Sequence, residues 1–179
     1  MPAALACPDC ERAYDDRWRC SCGHPLELVG PAPPDSGRGF APAEAFERSG
    51  RGLWAFAPLM AVDPAVTLGE GFTPLAAADD WDAGFKLEYV SPTGSFKDRG
   101  ATATLSRAAD LGTERVVEDS SGNAGVAVAT YAARGGLDCR VFVPADATPG
   151  KLRAIERAGA AVERVEGLRG TSLRPASTR

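Results

Sequence analysis

Residues 115–144 read RVVEDSSGNAGVAVATYAARGGLDCRVFVP: a short β-branched run, a turn of small and hydroxylated residues, an alanine-rich stretch closing on two glycines, and a second β-branched run. β-Branched side chains crowd a helical turn and suit a pleated strand, whereas alanine loses least on entering a helix. The pattern predicts strands at 115–118 and 139–143 joined by a helix at 124–134 that ends at Gly135. Working outward, further strands fit at 85–90 and 162–165, and further helices at 96–111 and 149–158, ending at Gly112 and Gly159. Each of these glycines stands where a left-handed C-terminal cap is wanted. Thr148 suits an N-cap and Pro149 the first helical position. Strands alternating with helices define an α/β chain with a mostly parallel sheet covered by helices.

Composition narrows the function. A length of 179 residues with 44% hydrophobic content suits one sizeable globular core. The net charge of −4 offers no basic footprint for nucleic acid or an anionic membrane, so a small metabolite is the expected ligand. The most apolar stretch, residues 53–62, falls far short of the roughly 20 residues that span a bilayer. The N-terminus MPAALAC lacks the basic and apolar regions of a signal peptide, so a cytoplasmic location is expected.

Five cysteines in such a chain argue for thiol or metal chemistry over disulfides. Cys139 lies in an apolar strand and is expected to pack as a small hydrophobe. The other four crowd residues 7–24, CPDCERAYDDRWRCSCGH, as a Cys7/Cys10 pair and a Cys20/Cys22 pair nine residues apart. Two such knuckles can set four thiolates around Zn²⁺, in a purely structural role because no coordination position stays open. The second pair is CxC where CxxC is commoner, and His24 is close enough to replace a cysteine; a ribbon that no longer holds metal is the alternative. Residues 1–29 are thus expected to form a zinc-ribbon-like segment. Residues 30–52, rich in proline and glycine, are expected to be a linker with at most a short helix at 42–48.

Residues 91–100, SPTGSFKDRG, place one of only three lysines at a helix start, in a chain with seventeen arginines. Lysine, unlike arginine, can lose its proton and attack a carbonyl. Ser95 is a candidate N-cap, which puts Lys97 in the first helical turn. The helix dipole, Arg99 and partial burial would each favour the neutral amine there. Asp98 would oppose them if it faced Lys97, but would brace the turn if it paired with Arg99 or capped the helix. An ordinary exposed lysine is the plainer reading of the lysine alone. In EDSSGNAG, residues 118–125, backbone amides converge on a helix N-terminus as they do at anion sites. Asn123 can donate or accept there, or serve as a turn residue. Neither a dinucleotide nor a P-loop fingerprint occurs.

Three blocks, LGEGFTPL (68–75), FKLEYVSPTGSFKDRG (85–100) and EDSSGNAGVAVATYAARGGLDCRVFVP (118–144), together resemble the fold-type II pyridoxal-phosphate enzymes, and among them threonine synthase. The cysteine knuckles resemble those ahead of some archaeal-type members. The resemblance spans residues 53–167 and implies a three-layer α/β sandwich, here a partial one. It further implies pyridoxal 5′-phosphate as cofactor, held by Lys97, with Phe96 packing near it and Asn123 bonding its phenolic oxygen. Ser120, Ser121, Gly122 and Ala124 would present hydroxyls and amides to the substrate carboxylate, Thr73 would help bound the site, and Gly125 would serve close packing. The implied reaction converts O-phospho-L-homoserine and water to L-threonine and phosphate, and the resemblance leaves room for a homo-oligomer. Two readings stay beside it: a threonine or serine dehydratase-like enzyme, and a non-catalytic remnant carrying a zinc-ribbon module.

Family members are longer, and their second halves supply a glycine-rich phosphate clamp and a partner for the pyridine nitrogen, neither of which occurs here. The final stretch, LRGTSLRPASTR, carries three arginines and no acid, against 17 basic and 24 acidic residues before it. That reversal is read as an atypical tail, residues 168–179, following a truncation or frameshift after Gly167.

Overall fold

The computed structural model describes residues 4–15, 17–29 and 52–166. The expected linker, apart from Gly52, its short helix at 42–48 and the tail at 168–179 lie outside the described residues. Strands β1 (Ala4–Ala6), β2 (Ala13–Tyr14) and β3 (Glu27–Val29) form a small antiparallel sheet in the order β2-β1-β3. A 3-10 segment at Gly52–Leu59 leads to an antiparallel hairpin of β4 (Leu75–Ala78) and β5 (Ala83–Lys86). Then come α1 (Lys97–Asp110), β6 (Arg115–Glu118), α2 (Asn123–Gly135), β7 (Asp138–Pro144), α3 (Pro149–Arg157) and β8 (Ala161–Val165). Strands β6, β7 and β8 are parallel in that order, with Val116 opposite Cys139 and Val141 opposite Val162.

Three expectations are corrected. The strand placed at 85–90 is a shorter one, Ala83–Lys86, which pairs antiparallel with β4 and does not join the parallel sheet. Asp82, with φ +46°, turns the chain into that hairpin. Glu88–Val90 then coils as a 3-10 turn, which carries the Glu88 carboxylate onto Arg99 of α1. Helix α2 runs through Gly135 and closes on Gly136 (φ +70°), the residue with the left-handed backbone of a cap; Gly135 lies against Val66, whose Cγ2 an added Cβ would meet at 2.9 Å. Thr148 has the extended backbone of an N-cap, but its hydroxyl makes no capping hydrogen bond; Pro149 does open the helix. Gly112 and Gly159 take left-handed conformations as expected.

Helix α1 buries Asp98, Ala101, Thr102, Leu105 and Ser106, a three-to-four-residue spacing that marks one face. Helix α2 lies between two apolar clusters. Ala127, Tyr131 and Ala132 join Val66, Ala101 and Leu105 on one side, while Ala129 joins Val141, Val143, Leu152, Ile155 and Ala160 on the other. Alanine-rich faces let α1, the sheet and α3 all approach this one helix. Cys139 is half-buried beside both clusters, and burial pushes its thiol up, as suits a packing residue. Among the described residues no helix is long and apolar enough to cross a membrane.

Glu70 ties the core together. It is 1% exposed, and Oε1 accepts from Trp54 Nε1 at 2.9 Å and from the Thr67 hydroxyl at 3.0 Å. Oε2 accepts from the Tyr131 hydroxyl at 2.7 Å and from the Leu68 amide at 2.9 Å. Burial opposes ionisation, but the surrounding donors, among them Thr102, Leu68 and Tyr131, outweigh it and hold the carboxyl below its usual range. Gly71, on the far side of Glu70, keeps φ +102° and leaves no room for a side chain: a Cβ would fall 2.4 Å from Leu53 N. Replacing Glu70 by Ala strands the buried Trp54 and Tyr131 donors, so Glu70→Ala should cost about 3 kcal/mol in urea unfolding.

Candidate active site

The turn before α1 is built from its own side chains. Gly94 N–H donates to Ser91 O at 2.8 Å, and the Ser95 hydroxyl accepts Lys97 N–H at 3.2 Å from just outside the helix; the N-cap itself is Phe96, one residue later than expected, and carries no side-chain cap. Asp98 is fully buried, and its carboxylate receives Thr93 N–H at 2.7 Å and the Thr93 hydroxyl. Asp98 thus braces the turn by folding back onto it. Arg99 turns instead to Glu88, with Nε 3.0 Å from Oε2 and Nη2 2.9 Å from Oε1. The Thr73 hydroxyl donates to Glu88 Oε1 at 2.7 Å and accepts from Arg99 Nη2 at 3.2 Å, while Lys86 Nζ donates to Thr73 O. Thr73 therefore fastens the β4–β5 hairpin to α1. Arg99, and after it Thr73, holds the Glu88 carboxyl down at about 2.

Both charged neighbours of Lys97 are committed to other partners. The buried face of α1 runs through Asp98, Ala101 and Thr102, which leaves Phe96, Lys97 and Gly100 on the open side. Lys97 is exposed, where partial burial was expected, and its Nζ lies 4.6 Å from the centroid of the half-exposed Phe96 ring. Its charge also reaches the end of β6: burial and then Asp119 push the Glu118 carboxyl up, and Lys97 opposes them.

Glu118 opens the second loop. Ser120 Oγ accepts Gly122 N–H at 3.2 Å, Gly122 is the N-cap of α2, and Asn123 is its first residue, exposed to solvent. Ser120, Ser121 and Ala124 are half-buried. The opening amides of a helix lack intrahelical partners and carry partial positive charge, so this loop faces outward as an anion-attracting end. A Cβ on Gly125 would come within 1.9 Å of Ser120 O and 3.0 Å of Ile155 Cδ1, so its place in close packing is direct. Between Lys97 and the 118–124 loop the tie is the electrostatic one at Glu118 alone, whereas Thr73 belongs to the Arg99–Glu88 network. Cys7, Cys10, Cys20 and Cys22 form a separate cluster, with all four sulfurs within 4.8 Å of one another.

Glu70, Glu88 and the Thr93–Asp98 clasp were not foreseen as a scaffold. An acid between two glycines in LGEG was the one local signal for Glu70; the other pairs join distant positions and leave no local trace.

Two outcomes follow from this geometry. Glu88 has a depressed carboxyl, so its contribution is present above the ordinary carboxylate range and is lost as pH falls from about 4.5 through about 2. Acid titration of stability should therefore flatten across that interval in Glu88→Gln, measured by circular dichroism. Gly125→Ala should destabilise the chain by about 2 kcal/mol or more, since the obstructing atom is backbone, and a shift in urea midpoint checks it.

The sequence pattern of the family described as pyridoxal-phosphate dependent enzyme matches residues 66–177. The threonine synthase of Methanocaldococcus jannaschii is 34% identical over 175 residues, covering 90% of this chain and 43% of that protein. That of Halalkalibacterium halodurans is 39% identical over 119 residues, covering 63% of this chain and 34% of that protein. Among solved structures, O-ureido-L-serine synthase superposes with a TM-score of 0.52 at 26% identity, over 56% of this chain and 34% of that one. Maize serine racemase gives 0.50 at 27% identity, over 55% and 32%. The chain thus spans well under half the length of the relatives it matches. With the family pattern running through more than half of its residues, across both the lysine-bearing helix start and the loop ahead of α2, the chain belongs to the pyridoxal-phosphate dependent enzymes.

Proposed function

We propose that the chain is the cofactor-bearing part of a threonine synthase, which converts O-phospho-L-homoserine and water to L-threonine and phosphate. The observation that carries this reading is the partition of charge around Lys97: Asp98 is held by Thr93 and Arg99 by Glu88, so the ε-amine stands exposed with neither as an ion-pair partner. An amine that must form and release a covalent bond needs that accessibility. The two threonine synthases, one of them aligned over 90% of this chain, support the choice of reaction.

The residues present fit pyridoxal 5′-phosphate. Phe96 offers an exposed aromatic face beside the amine, Asn123 an exposed neutral hydrogen-bonding group, and α2 an N-terminus. Ser91 Oγ, in the turn before the lysine, is buried with no partner among the described residues. When bound, the cofactor supplies an electron sink for carbanions of the amino-acid substrate. Lys97 would hold it through the ε-amine and, when free, could move protons at the substrate Cα and Cβ. Asn123 would orient the ring through its phenolic oxygen. Ser120, Ser121, Gly122 and Ala124 receive the substrate carboxylate on hydroxyls and amides at the positive end of α2. Thr73 acts from behind, by keeping Arg99 and Glu88 in register.

A dehydratase-like reading has one observation in its favour: the likeness in fold to a serine racemase and an O-ureido-L-serine synthase, whose names point to other amino-acid chemistry. Borohydride reduction with pyridoxal phosphate, followed by peptide mass spectrometry, tests the site itself. A pyridoxyl adduct concentrated on the Lys97 peptide and lost in a folded Lys97→Ala variant is expected; equal labelling of Lys86 and Lys151 would sink the assignment. Turnover tests the reaction. Phosphate release from phosphohomoserine, at least about 10²-fold faster than in Lys97→Ala, supports threonine synthase, whereas ammonia release from serine or threonine would replace it with the dehydratase. Neither activity, with the adduct intact, would favour the non-catalytic remnant.

A further inference from the structure

We infer that Cys7, Cys10, Cys20 and Cys22 bind one tetrahedral Zn²⁺, which serves as the core of the β1–β3 unit. Among the described residues from 4 to 29, only Cys7 and Cys20 are buried, at 1% and 4% exposure. Trp18, Leu28 and Val29, the apolar side chains that would ordinarily fill a centre, are 74%, 54% and 55% exposed. A sheet this small, with Leu5, Tyr14 and Leu26 only half-buried and no large apolar group fully inside, has too little hydrophobic core to hold its shape, and a metal is the usual substitute.

The two cysteine loops have matching backbones despite unequal length. In the first, Glu11 N–H donates to Cys7 O at 2.9 Å and Cys7 N–H to Arg12 O at 3.0 Å. In the second, Gly23 N–H donates to Cys20 O at 3.0 Å and Cys20 N–H to His24 O at 2.8 Å. The residue after each pair turns left-handed, Glu11 at φ +56° and Gly23 at φ +101°. The CxC loop thus closes as the CxxC loop does with one residue fewer, and the departure from the commoner spacing does not move its sulfurs out of place.

The sulfur geometry points to a metal. Cys7 and Cys22 are 3.5 Å apart, Cys10 and Cys20 3.4 Å, and Cys10 and Cys22 3.8 Å, with all four sulfurs within 4.8 Å of each other. Zinc–sulfur bonds of about 2.3 Å in a tetrahedron set sulfurs about 3.8 Å apart, whereas a disulfide requires about 2.05 Å. A thiolate set of this kind selects zinc over hard cations. Outer contacts complete the arrangement. The Tyr14 hydroxyl lies 3.3 Å from Cys20 Sγ, and Arg12 reaches across to Ser21, between the two cysteines of the second loop. His24 Nδ1 is 3.6 Å from both Cys22 Sγ and Asp9 Oδ2, which places it as an outer partner of the cluster and leaves the four sulfurs as the ligands. Arg107 of α1 donates to Asp15 O at 2.8 Å, so the metal-held unit is anchored on the α/β portion.

This inference stands apart from the Lys97 reading, whose adduct is measured separately. The test is metal analysis of the whole chain, followed by cobalt substitution. One zinc per folded chain, and visible cobalt bands of a tetrahedral tetrathiolate, are expected. Cys7→Ser should weaken zinc binding by more than the roughly 10- to 100-fold that loss of an outer partner costs, and His24→Ala by no more than that. Because Cys7→Ser can unfold the segment, wild-type stoichiometry and the His24→Ala spectrum decide independently of it. A folded wild-type chain with its thiols free and no zinc, a chain loaded with iron instead, or loss of the tetrathiolate spectrum in His24→Ala would each overturn the assignment.

Discussion

A single buried carboxylate organises the α/β part of this protein. Glu70 receives hydrogen bonds from the 3-10 segment through Trp54, from its own loop through Thr67 and Leu68, and from the middle of α2 through Tyr131. Taking an ionised carboxylate out of water costs several kcal/mol. Four donors worth roughly 1.5–3 kcal/mol each offset that cost only while all of them stay in place. The arrangement is consequently cooperative: it fixes where the LGEGFTPL block enters the core, and Trp54 Nε1 extends it to Thr102 on α1.

The same logic recurs at the helix start that carries the lysine, with the opposite purpose. Asp98 is hydrogen-bonded by a turn it helps to close, and Arg99 is paired with a carboxylate from the 3-10 turn that follows β5. The two charges that follow Lys97 in sequence are thereby taken up, one on the buried side of α1 and one by the turn at Glu88. What remains on the open side is an amine, an aromatic ring and a glycine. Rigidity around the site and accessibility at its centre come from the same hydrogen bonds.

The N-terminal unit solves a different problem. With no large apolar side chain fully buried among its described residues and two cysteines within, its organisation lies in backbone turns and sulfur positions more than in a hydrophobic core. Its contact with α1 through Arg107 lies toward the C-terminal end of that helix, away from Lys97.

Much of this was legible in the order of residues. The alternation of β-branched and alanine-rich runs places β6, α2, β7, α3 and β8 to within a few residues, because period and propensity are local properties. The unusual lysine, the Ser-Ser-Gly-Asn loop and the paired cysteines were also visible, since each is a short contiguous pattern. Tertiary structure alone decided the rest: that residues 83–86 leave the parallel sheet for a hairpin, that Asp98 faces Thr93 while Arg99 faces Glu88, and that Lys97 stands in the open. Those outcomes depend on which of several nearby donors and acceptors meet once the chain is packed, and hydrogen bonding between residues 11 or 61 positions apart has no signature in either stretch taken alone.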